Sequence, residues 1–83
     1  MRAEDLREVI RAQPFRPFAI VAADGGRIRV DHPEWIMVRG ERSAVVYDQD
    51  ERLHIIDVML IQRVEVEPPV PAGSPAPGPN GGE

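Results

Sequence analysis

Hydrophobic positions follow two periods along this chain. Leu6, Val9 and Ile10 recur at helical spacing, which predicts a helix over residues 3–12 with one narrow apolar stripe. Glu4 and Asp5 in its first turn and Arg11 near its last match the sign of the helix dipole at each end. Pro14 disfavours helical geometry at Gln13 and so stops the helix. From Phe18 the period becomes two, the signature of half-buried strands. Phe18, Ile20 and Ala22 share one face, and Ala19, Val21 and Ala23 the other. "RIRV" (27–30) turns Ile28 and Val30 inward and Arg27 and Arg29 outward. "WIMV" (35–38), "SAVVY" (43–47), "RLHII" (52–56) and "QRVEVE" (62–67) extend the series, the last with Val64 and Val66 inward. Between them lie turn signals at "DGG" (24–26), "DHPE" (31–34), "RGER" (39–42) and "DQDE" (48–51). A short irregular or helical turn is expected at "DVMLI" (57–61).

The junction "QPFRPF" (13–18) decides how the helix meets the strands. Pro14 and Pro17 fix φ and lack an N–H, so the link is stiff without needing a partner strand. Phe15 and Phe18 demand burial, which an exposed proline-rich ligand would not supply. A structural hinge with two aromatic anchors is therefore expected, with Phe18 opening the first strand.

One short helix followed by five to six short strands implies a mainly β (α+β) fold. The expected form is a small, strongly bent antiparallel barrel covered by the N-terminal helix, spanning residues 1–67. Residues 68–83 hold six of the nine prolines and four of the seven glycines. That segment is expected to be a disordered, partly polyproline II tail. A domain of this size buries little core, and small chains commonly gain margin from disulfides, metals or a partner subunit. Cysteine is absent, which removes disulfides and thiolate metal sites. Self-association is the remaining route.

Charge narrows the partners. The chain carries a net charge of −4, and all ten of its basic residues are arginine. An acidic balance lowers the expectation of nucleic-acid binding, which draws its affinity from phosphate neutralisation. The charged opening "MRAEDLREV" has no apolar leader core, and the run Val58-Met59-Leu60-Ile61 is too short to span a bilayer. A soluble, cytoplasmic protein without membrane contact is expected.

The succession "QPFRPF", "ADGG" and "DHPE" resembles a group of small bacterial proteins of unknown function that share a short N-terminal helix, a Pro-Phe hinge and a hairpin. The resemblance covers most of residues 3–66 and implies a fold, with no catalytic role attached. More distantly, "HIIDVMLIQRVEVE" resembles the Sm-like (SH3-like) barrel, in which a strand, a one-turn helix and a last strand close the barrel. The RNA-binding motifs of that family are not reproduced: residues 1–67 contain no Asn, and "VRGE" (38–41) falls well before the last strand pair.

Candidate chemistry is sparse. There is no Cys, Lys or Thr, and Ser43 has no base and acid beside it in sequence. Asp31, His32 and Glu34, with His54 as a fourth ligand, have the residue types for a divalent metal. Asp before a proline turn more commonly accepts backbone N–H groups, so no metal or other cofactor is expected. "DQDE" lacks the central Gly and closing Glu of a calcium loop and reads as a solvated hairpin tip. The expectation is thus a non-enzymatic interaction or scaffold module that forms homo-oligomers. The strand edges "LHII" and "VEVE" are its pairing candidates, with Trp35, Met37, His54, Ile56, Met59 and Val64 as interface residues. The alternative is an Sm-like RNA-binding ring that uses Arg27, Arg29, Arg39 and Arg42, with Trp35 nearby for stacking.

Overall fold

The computed structural model describes residues 1–68. Helix α1 (Ala3–Arg11) is followed by β1 (Phe18–Ala22), β2 (Arg27–Val30), β3 (Ile36–Arg39), β4 (Ser43–Tyr47), β5 (Leu53–Asp57) and β6 (Ile61–Val66). One-turn 3₁₀ helices at Pro33–Trp35 and Val58–Leu60 join β2 to β3 and β5 to β6. The expected tail at 68–83 lies, apart from Pro68, outside the described residues. No helix among the described residues is long and apolar enough to cross a membrane.

All strand pairs are antiparallel; three are joined by short hairpin connections, and β1 and β6 are brought together from opposite ends of the strand series. They do not form one closed ladder. Sheet I has the order β2-β1-β6 and sheet II the order β3-β4-β5, which corrects the expected closed barrel. The division falls at Asp31–Trp35, where Pro33 withholds an N–H and begins the 3₁₀ turn. The ladder that pairs Phe18 with Val30 therefore ends before Ile36 pairs with Val46.

The core lies where the inner faces of the sheets meet α1. Leu6, Phe18, Val30, Ala44, Val46 and Val58 have no exposed surface, and Ala3, Ile20, Ile36 and Ile61 are nearly as deep. Val9 and Ile10 pack half-buried against this cluster. A nine-residue helix is marginal alone, so its position depends on this docking. Arg7 donates a hydrogen bond to the Gly40 carbonyl, and the terminal ammonium of Met1 reaches the Ile61 carbonyl at 3.3 Å.

The Pro-Phe junction is a hinge. Ala12 leaves helical geometry at ψ 140°, Phe18 begins β1 in full burial, and Phe15 meets its ring edge-on at 5.9 Å between centroids. The link is held at its far end by Glu67, whose N–H donates to the Pro17 carbonyl at 2.9 Å.

Candidate interaction surface

Sheet II carries apolar side chains on both faces. Its inner face consists of Ile36, Val38, Ala44, Val46, His54 and Ile56, in the cross-strand rows Ile36–Val46–His54 and Val38–Ala44–Ile56. Its outer face holds the rows Met37–Val45–Ile55 and Arg39–Ser43–Asp57, with Tyr47 opposite Leu53. Ile55 is 76% exposed, Met37 60%, Leu53 51% and Tyr47 50%. A sheet face in contact with water ordinarily alternates to polar residues. This one presents a contiguous apolar surface, extended by half-buried Trp35 beside Tyr47.

The six residues expected at an interface are thus divided. Met37 belongs to the exposed face, whereas Trp35 ends the 3₁₀ turn before β3 and packs half-buried against the core, bordering Tyr47. His54, Ile56 and Val64 turn inward and are half-buried, the last two against the core. Met59 and Leu60 are exposed on the second 3₁₀ turn. Val45 and Tyr47 escaped the sequence reading, and Leu53 and Ile55 entered it only as part of the pairing edge "LHII". Their signal was present, since "SAVVY" is apolar at both parities and Leu53 and Ile55 flank His54. A strand apolar on both faces is normally covered on both.

His54 sits at the rim of the inner face, where its Nε2 meets Asp48 Oδ2 at 2.8 Å. Asp48 also accepts the backbone N–H groups of Asp50 and Arg52 on Oδ1, at 2.8 and 3.0 Å. The contact with His54 first, then the Arg52 N–H, holds the Asp48 carboxyl below its ordinary value. The hairpin tip at 48–51 is accordingly an Asp-anchored turn. Between the free edges of β2 and β5 lies a cleft of about 390 Å³, walled by Ile20, Ile28, Ile56 and Ile61, with His54 at its margin.

Asp31, His32 and Glu34 do not converge on a common point. Asp31 accepts from Arg29 Nε at 2.7 Å and from Gln49 Nε2 at 2.6 Å. Burial works to raise the Asp31 carboxyl, but these hydrogen bonds outweigh it and hold it low. The His32 ring meets Trp35 edge-on at 4.7 Å, and Glu34 points to solvent. No group of three His, Asp or Glu residues among the described residues is placed to hold a metal ion.

The four arginines also separate. Arg27 and Arg29 stand on the outer face of sheet I. Arg27 bonds Glu65 at 2.6 Å, and Arg29 bonds both Asp31 and Glu67. Because β1 lies between β2 and β6, the Arg27–Glu65 and Arg29–Glu67 pairs cross over it. Ala19 and Val21, on that outward face, are thereby buried to 8% and 4% exposure. The aliphatic stems of the arginines supply the cover. Arg42 bonds Asp57 at 2.8 Å. Arg39 has no ion-pair partner among the described residues and lies on the outer face of sheet II.

Comparison of the chain with protein-family models, with curated proteins and with solved structures finds no match.

Proposed function

We propose that this chain is a non-enzymatic interaction module that associates with itself. The observation that carries this reading is the apolar outer face of sheet II, with Met37 and Ile55 more than half exposed. A chain without cysteine and with so small a core gains stability by covering such a surface. Asp31, occupied by Arg29 and Gln49, does not converge with His32 and Glu34, which supports the non-enzymatic reading. Sedimentation equilibrium of the full chain across the micromolar range tests the reading. A mass rising above 9.3 kDa with concentration supports it. A single 9.3 kDa species throughout overturns it.

A second reading, an Sm-like RNA-binding ring, has one observation in its favour. The 3₁₀ turn Val58–Leu60 joins β5 to β6, and both strands keep a free outer edge. In that reading the two sheets are the halves of one bent barrel, open at the cleft between β2 and β5. Arg27 and Arg29 are poor phosphate ligands while Glu65, Glu67 and Asp31 hold them; of the four arginines of this reading, Arg39 is the one without an ion-pair partner among the described residues. Retention of RNA that falls with salt and is lost on Arg39→Glu would place this reading first.

A further inference from the structure

We infer that the outer face of sheet II is the contact between two copies of this chain, stacked face to face about a two-fold axis that runs along β4. The inference rests on the self-association proposed above and assigns it a geometry. The four most exposed side chains of the face present on the order of 500 Å² of apolar surface, as large as the largest patch on a typical monomer. With the half-buried Trp35 and Val45 and the row Arg39–Ser43–Asp57, the face reaches the roughly 600 Å² per partner at which weak specific interfaces begin.

The cross-strand register selects the axis. Rotation about β4 lays β3 of one copy over β5 of the other and keeps each row opposite its own row. Met37 then meets the partner's Ile55, and Ile55 meets the partner's Met37. Val45 and Tyr47, both on β4, face their own counterparts. In the end row, Arg39 comes opposite the partner's Asp57. Arg39 lacks an ion-pair partner within the chain among the described residues, and Asp57 is half-exposed with only Arg42 as a paired cation. The face is therefore complementary to itself in shape class and in charge, as a two-fold contact requires. Aligned stacking of two sheets about 10 Å apart is a standard packing. It would cover on sheet II what the arginine and glutamate side chains cover on sheet I.

The test uses the full chain, which has no native cysteine, so each introduced thiol is unique. Met37→Cys and Ile55→Cys proteins are mixed and treated with a short bismaleimide. The mixture is expected to give cross-linked pairs at a rate well above that of either protein alone. In parallel, Ile55→Asp should raise the dimer dissociation constant at least about a hundredfold, because the symmetry repeats the substitution in both halves. Ile55 is exposed, so the fold tolerates the change, and an unaltered far-ultraviolet circular dichroism spectrum checks this. If Ile55→Asp leaves a multimer intact and Met37→Cys cross-links no better with Ile55→Cys than with itself, the face geometry is overturned. Self-association through the strand edges then stands. If the unmodified chain is monomeric at every concentration, both the geometry and the proposed function fall.

Discussion

Gly25 and Glu51 occupy the same position in two turns of identical construction. In the first, the Ala22 N–H donates to the Gly26 carbonyl and the Gly25 N–H to the Ala22 carbonyl. In the second, the Asp48 N–H donates to the Arg52 carbonyl and the Glu51 N–H to the Asp48 carbonyl. Both residues adopt positive φ, +92° for Gly25 and +64° for Glu51. Glycine takes that conformation freely, whereas an L-residue with a Cβ is penalised by about 1–2 kcal/mol. Glu51→Gly is therefore expected to stabilise the fold by about 0.5–1 kcal/mol after the entropy of the added glycine is set against it. In a domain this small that is a rise of roughly 2–8 °C in Tm. Thermal unfolding followed by circular dichroism checks it, and an unchanged or lower Tm contradicts the strain assigned to Glu51.

Gly25→Ala is the converse experiment. A Cβ at Gly25 meets nothing within 4 Å, so only the backbone conformation opposes the change. A loss of about 1 kcal/mol is expected, with no accompanying change in the slope of urea unfolding. A loss several times larger would mean that the β1–β2 turn rearranges rather than strains.

The hinge assignment of the two phenylalanines has its own consequence. Phe18 is wholly buried and Phe15 only in part, so their truncations should differ widely. Phe18→Ala removes a core ring and is expected to cost about 3–5 kcal/mol. That is most of the stability of a small domain, and the variant should be largely unfolded at room temperature. Phe15→Ala loses a half-covered ring and its edge contact with Phe18, and should cost about 1–2 kcal/mol. Equal, small effects from both substitutions would show that the junction does not anchor the helix, and the exposed-ligand alternative would return.

Helix and strands were legible because their signals are local. The stripe Leu6, Val9, Ile10 and the alternation from Phe18 onward each depend on a few neighbouring residues. Helix α1 and the six strands lie within one residue of where those patterns place them, Trp35 falling in the 3₁₀ turn rather than in β3. The division into two sheets was not legible, because it depends on how far the ladder survives beyond Val30 once Pro33 interrupts it. The direction of Arg27 and Arg29 was readable, but their reach across β1 to Glu65 and Glu67 was not, since those partners lie 38 positions away. The candidate surface was half visible. Trp35 and Met37 stand out as large residues, whereas Ile55 and Tyr47 were absorbed into strands assumed to have a single apolar face. Glu51 gave no warning of its conformation, because glutamate has no preference for positive φ.

Acid should unfold the domain through a definite set of carboxylates. Asp31 is held below its ordinary value, against the effect of its burial, by Gln49 and Arg29, Asp48 by His54 and by the Arg52 N–H, Asp57 by Arg42 and the Met59 N–H, and Glu65 by Arg27 and Arg63. A carboxylate whose folded value lies below its unfolded one binds fewer protons in the folded state over the interval between them. Its stabilisation is complete above the unfolded value, near pH 4, and is lost as pH falls through the folded value. Stability is therefore expected to be nearly flat with respect to these groups from neutrality to about pH 5 and to decline progressively below about pH 4. Of the four, Asp48 joins a side chain of β5 to the backbone of its own turn, so Asp48→Asn should remove a share of that acid dependence as well as lower stability at pH 7. Urea unfolding at a series of pH values, in the parent and in Asp48→Asn, measures both. If the two proteins lose stability in parallel from pH 5 to pH 3, Asp48 is not one of the groups that link folding to protons, and the His54 contact contributes nothing to it.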